Sequence, residues 1–294
     1  MSPIVKVGIP KGSLQESTIE LFRRAGWRIS VTSRNYFPSI DDEELSCALI
    51  RAQEMARYVE AGSLDVGLTG LDWVLENNAN VEIVRDLVYS KATATMARWV
   101  LAVPADSEIT TLEECAGKRI STELVGFTRR YFEERNIPVE VEFSWGATEA
   151  KVVEGLVDAI VEITETGSTI HAHGLRIIHE LLLTNTKIIA NPESMRDEWK
   201  RTKIGQIGTL LSGALAADNM VGLKMNVPSD SIARVVGLLP AITSPTVSKL
   251  YESEWFSVET VVDEAKVREI IPELLRNGAV GIIEYPLNKL VDGA

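Results

Sequence analysis

The chain has 294 residues, 45% apolar and 24% charged, with 42 acidic against 30 basic side chains and a net charge of −12. That length predicts two or three compact domains, and the negative field disfavours nucleic acid and acidic membranes, so an anionic ligand is expected only at a local site. With no apolar run near the roughly eighteen residues of a membrane span, no secretory pattern in MSPIVKVGIPKGSL, and Cys47 and Cys115 in no metal-like spacing, a cytoplasmic protein is expected.

The first third alternates strands with helices. Residues 4–10 (IVKVGIP) form a short β-branched run closed by a Pro-Lys-Gly turn, which predicts a buried strand. Residues 14–26 set Leu14, Ile19, Leu21 and Phe22 among charges and end in glycine, as a helix does. ELSCALIRA (44–52) reads as a strand and AQEMARYVEAG (52–62) as a helix stopped by Gly62. LDVGLTGLDWVLEN (64–77) reads as a strand, a glycine turn and a helix start. Such alternation predicts a parallel or mixed sheet flanked by helices.

A second unit begins near residue 95. RWVLAVPADS (98–107) is a strand ending in a proline turn, and TLEECAGKRIST (111–122) a short helix and a strand. An amphipathic helix (126–137), a half-buried strand (139–145), a helix (148–157) and a strand (158–163) follow, and a helix starts at 167. Residues 175–194 return to a strand pattern, and 203–219 predict a helix leading out. Beyond 220 the order strand, helix, strand, strand, helix, strand matches the ferredoxin-like βαββαβ plan. A small α+β module after an α/β body suits regulation or assembly.

The segment DAIVEITETGST (158–169) carries the most chemistry. A strand delivers Glu165, Thr166, Gly167, Ser168 and Thr169 to the start of a helix. Amides in such a turn point one way and the helix N-terminus adds positive charge, so an anion can be held without lysine. Gly167 permits close backbone approach, and the hydroxyls are donors. The plainer alternative is that Ser168 or Thr169 only caps the helix. Glu162 and Glu165 favour a ligand with a ribose diol, and an acid followed by Thr-Gly-Ser-Thr resembles the 5-phosphoribosyl 1-pyrophosphate loop of phosphoribosyltransferases.

Other candidates are weaker singly. Gly67 and Gly70 around Thr69 suggest a second amide-rich turn, with Asp72 in the next helical turn either serving a site or complementing the helix dipole. Lys11, beside Gly12, and Arg51 fall at the C-terminal ends of strands, where open α/β sheets bind ligands. Arg129 and Arg130 are neighbours about 100° apart on a helix, so at most one faces a cleft. His171 and His173 do not share a helix face, and His179 is the other histidine; a protein-held transition metal is not expected.

Together VGIPKGSL (7–14), residues 51–74, GKRISTELVGFTRRYF (117–132), residues 146–175, SPTVSKL (244–250) and NGAVGII (277–283) resemble the ATP phosphoribosyltransferase family in its long form. The resemblance implies condensation of ATP, through N1, with 5-phosphoribosyl 1-pyrophosphate, the first step of histidine biosynthesis, with Mg²⁺ on the pyrophosphate and feedback inhibition by histidine. It implies an α/β, two-lobed, periplasmic-binding-protein-like core, one lobe from 1–93 with 185–212 and the other from 94–184. A ferredoxin-like regulatory domain, 216–294, would bind histidine near Asn226, Thr246 and Ala279, and the chains would form dimers and hexamers. Thr166, Gly167, Ser168 and Thr169 would hold the 5-phosphate, and Glu162 and Glu165 the ribose. Lys11, Gly12, Arg51, Thr69, Gly70, Asp72 and Glu123 would line the rest of the cleft, with no covalent nucleophile. The sequence departs from the family pattern at Val157, at Glu162 in place of aspartate, at Ala52 and Ala56 where proline is common, and in YSKATATMA (89–97). A two-lobed binding protein or a silent regulatory subunit is the rival class.

Overall fold

The computed structural model describes residues 3–32, 35–89, 96–146, 148–240 and 244–291, and the chain forms two compact units, 1–208 and 209–294. Most of the divergent 89–97 stretch lies outside the described residues.

The first unit opens with β1 (Val5–Lys11), α1 (Gln15–Ala25), β2 (Ile29–Ser30), β3 (Ser39–Ile40), β4 (Leu45–Arg51), α2 (Ala52–Glu60), β5 (Val66–Gly70), α3 (Leu71–Glu76) and β6 (Glu82–Leu87). It continues with β7 (Ala97–Pro104), β8 (Arg119–Thr122), α4 (Val125–Glu133), β9 (Glu140–Phe143), α5 (Thr148–Val153), β10 (Ala159–Thr164), α6 (Ser168–Ala172), β11 (Leu175–Thr184), β12 (Thr186–Ala190) and α7 (Pro192–Arg196). Helix α8 (Glu198–Ala216) carries the chain into the second unit.

Two five-stranded sheets make the two lobes, in the orders β4-β1-β5-β12-β6 and β11-β7-β10-β8-β9. The patterns match: three parallel strands, β4-β1-β5 and β9-β8-β10, each extended by two antiparallel pairings. Central strands are buried on both faces. In β7, Trp99, Leu101 and Val103 join one core cluster while Val100 and Ala102 join another, hence the near-continuous apolar run RWVLAVP. The β11-to-β12 crossing between the lobes is a single residue, Asn185.

Several sequence expectations need correction. The stretch around Thr69 is not a glycine turn: Val66–Gly70 is continuous strand that passes straight into α3. Gly67 is there for packing, because a Cβ would lie 2.7 Å from the Met55 sulfur of α2. Helix α8 begins at Glu198 rather than 203. Before it, α7 is capped by Asn191, whose side chain accepts from Glu193 N and Ser194 N.

Helices α3 and α4 clamp the lobes end to end. Glu76 accepts hydrogen bonds from Gly126 N (2.9 Å) and Phe127 N (2.8 Å) in the first turn of α4. In return the Arg130 guanidinium donates to the carbonyls of Leu75 and Glu76 at the end of α3. Each helix thereby satisfies orphan groups of the other, with charges matched to both dipoles. Arg129 turns to the Val141 carbonyl at 2.9 Å. Both arginines serve the scaffold, and neither lines the cleft described below.

The second unit contains β13 (Met220–Pro228), α9 (Ile232–Leu238), β14 (Thr246–Lys249), β15 (Trp255–Asp263), α10 (Glu264–Arg276) and β16 (Val280–Pro286). Its sheet runs β14-β15-β13-β16 with every pairing antiparallel, the ferredoxin-like order. Val221, Leu223, Met225 and Val227 face the helices, packing with Val235, Val267 and Leu274. Among the described residues, no helix is long and apolar enough to cross a membrane.

Candidate active site

A cleft of about 490 Å³ opens where β1, β4 and β5 end. Lys11 and Gly12 reach it from β1, Arg51 from β4, and Gly70 and Asp72 from the β5–α3 junction. Ile163 and Glu165 face it from the other lobe, and Tyr89, Thr184, Asn185 and Thr186 form the wall at the crossing.

Helix starts and two cations converge on this cleft opposite two acids, Asp72 and Glu165. Helices α1, α2 and α3 all start here, and their N-cap residues Leu14, Arg51 and Gly70 make no side-chain cap hydrogen bond. The starts of α1 and α2 each carry roughly half a positive charge, whereas the first-turn amides of α3 are spent on the Asn185 carbonyl, Thr184 Oγ1 and the Asp72 carboxylate. Lys11 and Arg51 add full charges. The Lys11 ammonium lies 4.1 Å from the Tyr36 ring centroid, and the Arg51 guanidinium 5.7 Å from that of Trp145 on the opposite lobe.

Asp72 sits deeper than a surface helix acid. It is 4% exposed, and its carboxylate accepts from Trp99 Nε1 (2.8 Å) across the lobes and from Trp73 N (3.0 Å). Its own amide donates to Thr184 Oγ1 at 3.2 Å. Burial raises its pKa, and these hydrogen bonds oppose the rise. Gly70 is required beside it, since a Cβ there would fall 2.0 Å from Asp72 Oδ1. Thr69 does not line the cleft: strand alternation buries it completely, and its hydroxyl donates to Ala52 O at 2.7 Å.

On the second lobe, Gly167 is the N-cap of α6 with φ +81°, in the left-handed region. Gly167 N donates to Thr164 Oγ1 (2.8 Å), Ser168 N to Thr166 Oγ1 (3.3 Å), and Thr166 and Ser168 share a hydroxyl contact of 2.9 Å. The N-cap of α6 is Gly167, so neither Ser168 nor Thr169 is its capping residue, and the Thr164 and Thr166 hydroxyls take the Gly167 and Ser168 amides instead. Thr166, Ser168 and Thr169 are exposed while Gly167 is buried.

Glu162 is not among the residues lining the main cleft, and its neighbours include Thr148 and Glu149 of α5. Its carboxylate accepts from Ile163 N at 3.0 Å and from the Thr148 hydroxyl. Burial raises its pKa, aided by the charges of Glu149 and Glu123. Burial likewise raises Glu123, which accepts from Gly146 N and feels Asp72. Sequence reading missed Thr148, Tyr89, Trp145, Thr184 and Asn185. These are ordinary residue types in unremarked positions, brought in by folding alone. His173 Nδ1 contacts Thr169 O at 2.8 Å, and among the described residues no group of three or more His, Cys, Asp or Glu is arranged for a metal.

In the second unit, the expected inhibitor residues spread out. Asn226 and Thr246 lie on β13 and β14, which flank β15 and pair with Ser257 and Glu259 there, so two strand spacings and a two-residue offset put them about 12 Å apart. Ala279 is buried in the core, and its amide donates to Leu274 O.

The sequence profile of ATP phosphoribosyltransferase matches residues 51–213, and that of the HisG C-terminal domain matches 217–289. The ATP phosphoribosyltransferase of Desulfosudis oleivorans is 61% identical, and ATP phosphoribosyltransferase 1 of Geobacter sulfurreducens 57% identical, each over 99% of this chain and 100% of its own. The chain belongs to the ATP phosphoribosyltransferase family. A solved structure, the ATP phosphoribosyl transferase (HisG:HisZ) complex from Thermotoga maritima, aligns with 73% of this chain and 100% of its own, at 27% identity and a TM-score of 0.64. The long-form resemblance seen in the motifs therefore holds across both units, and the chain is a pentosyltransferase of histidine biosynthesis.

Proposed function

We propose that the cleft joins N1 of ATP to C1′ of 5-phosphoribosyl 1-pyrophosphate, releasing pyrophosphate with inversion and giving phosphoribosyl-ATP. One observation carries this reading: the starts of α1 and α2, with Lys11 and Arg51, line one cleft together with Ile163 and Glu165, which directly precede the Thr166–Thr169 segment. The N1 lone pair forms the new bond as the C1′–oxygen bond breaks and its electrons leave with pyrophosphate. Positive charge builds on the ribose ring, so catalysis rests on positioning and electrostatics and uses no covalent nucleophile. Thr166, Gly167, Ser168 and Thr169 hold the 5-phosphate, and Glu162 and Glu165 serve the ribose hydroxyls. Lys11, Gly12, Arg51, Gly70, Asp72 and Glu123 shape the remainder.

Mg²⁺ fits as a substrate-borne ion. The described residues build no cage of their own, and Mg²⁺ needs only one or two carboxylates besides phosphate oxygens. Glu165 on the cleft wall and Glu162 nearby are the side chains that would meet it, and the bound ion would neutralise the leaving pyrophosphate. Buried free thiols at Cys47 and Cys115 suit the cytoplasm. The second unit is read as the histidine-binding regulatory domain, at Asn226, Thr246 and Ala279, in homodimers and hexamers.

The test is to incubate the protein with ATP, 5-phosphoribosyl 1-pyrophosphate and Mg²⁺ and to detect phosphoribosyl-ATP by mass spectrometry. Product is expected; its absence beside a working control enzyme would favour the binding-protein class instead.

A further inference from the structure

The crossing from β11 to β12 sets Asn185 on the cleft wall. Its carbonyl accepts from Leu71 N at 3.1 Å, which pins it against the start of α3. Its side chain is not satisfied: Oδ1 is buried and has no hydrogen-bond partner among the described residues. The flanking hydroxyls are already engaged, Thr184 by Asp72 N and Thr186 by Tyr89. Two other buried side-chain atoms share this condition, Thr128 Oγ1 and Ser212 Oγ, but neither residue lines the cleft. A buried acceptor without a donor is costly, and a ligand in the cleft that the residue lines engages it only if the amide turns toward that cleft.

A planar amide offers an acceptor and two donors side by side. That pattern complements the N6/N7 edge of adenine, accepting from the exocyclic amine and donating to N7. Recognition on this edge leaves the N1 lone pair free to attack, and accepting from the N6 amine adds electron density to the ring. A purine bearing an oxygen in place of the amine would set acceptor against acceptor. We propose that Asn185 is a specificity-determining residue that selects the amino purine of ATP through its N6/N7 edge, an inference resting on the function proposed above.

The experiment compares full-length wild type, Asn185→Leu and Asn185→Asp. Affinities for ATP and inosine triphosphate are measured by calorimetry, kcat/KM with each nucleotide by product formation, and ligand-free melting by thermal scan. Wild type should prefer ATP, and Asn185→Leu should lose roughly tenfold or more of that preference. Its melting temperature should hold or rise, because an unsatisfied acceptor has gone. Asn185→Asp keeps an acceptor for the amine and should keep the preference. An unchanged ATP-to-inosine-triphosphate ratio in Asn185→Leu overturns the proposal, as does equal loss of both nucleotides with a lowered melting temperature. Wild type that binds neither nucleotide overturns the parent reading and this one with it, a result distinct from an unaltered ratio.

Discussion

Gly167→Ala probes the phosphate loop most directly. The residue has φ +81° and is buried, and a Cβ there would sit 3.3 Å from Ile177 Cδ1. A methyl end can yield by a few tenths of an ångström, so backbone strain dominates. An L-residue in the left-handed region costs about 1–2 kcal/mol, which for a domain of this size lowers Tm by roughly 2–8 °C. The alternative is for the loop to relax to negative φ, breaking the Gly167 N–Thr164 and Ser168 N–Thr166 hydrogen bonds and displacing the Thr166 and Ser168 hydroxyls. Hydrogen bonds to a charged phosphate are worth about 1.5–3 kcal/mol each, so losing one weakens binding by roughly ten- to a hundredfold. The assay pairs a thermal scan with calorimetric titration of 5-phosphoribosyl 1-pyrophosphate and Mg²⁺. Either strain is kept and stability falls, or it is released and affinity falls. Lost stability with both substrates bound normally by a Gly167→Val variant, where relaxation is forced by the β-branched side chain, would refute this loop as the phosphate seat.

Four further outcomes follow from named contacts. Glu76→Ala removes two charge-assisted bonds to the α4 amides and should cost about 2–3 kcal/mol in denaturant unfolding; an unshifted midpoint would show that the clamp is not needed. Gly67→Ala drives a methyl into Met55 and should destabilise by about 1–3 kcal/mol, with partial rescue by Met55→Ala; equal loss in the double variant would contradict the packing explanation. The folded-state pKa of Glu162 is raised chiefly by burial, so the native state binds the extra proton. Its contribution to stability is therefore fullest below the unfolded carboxylate range and falls as pH rises through the raised value. Glu162→Gln should gain stability relative to wild type across that rise, and parallel stability–pH curves would disprove it. Removing residues 216–294 should abolish histidine inhibition of product formation, and inhibition surviving the truncation would remove the regulatory role from the second unit.

Local pattern was enough for the elements themselves. β-branched runs closed by glycine and proline marked β1 and β10, the helical stripe of Leu21 and Phe22 marked α1, and the order of signals beyond 220 spelled out the ferredoxin-like unit. The Thr-Gly-Ser-Thr segment was legible because a left-handed N-cap admits glycine and few other residues. Tertiary structure decided the partners. The sheet order sets β12 between β5 and β6, which brings Thr184 and Asn185 to the cleft. Thr69 and Asp72 lie three residues apart, yet one is spent holding α2 and the other ties Trp99 of the opposite lobe to the cleft floor. Helix geometry let at most one of Arg129 and Arg130 face a cleft, and the fold spends both on carbonyls, Val141 for one and the end of α3 for the other. Periodicity records which face of an element is apolar and where the backbone must bend. It carries nothing about which distant segment will supply a hydrogen bond, because that depends on strand order and register, which are set by long-range packing rather than by neighbours in the chain.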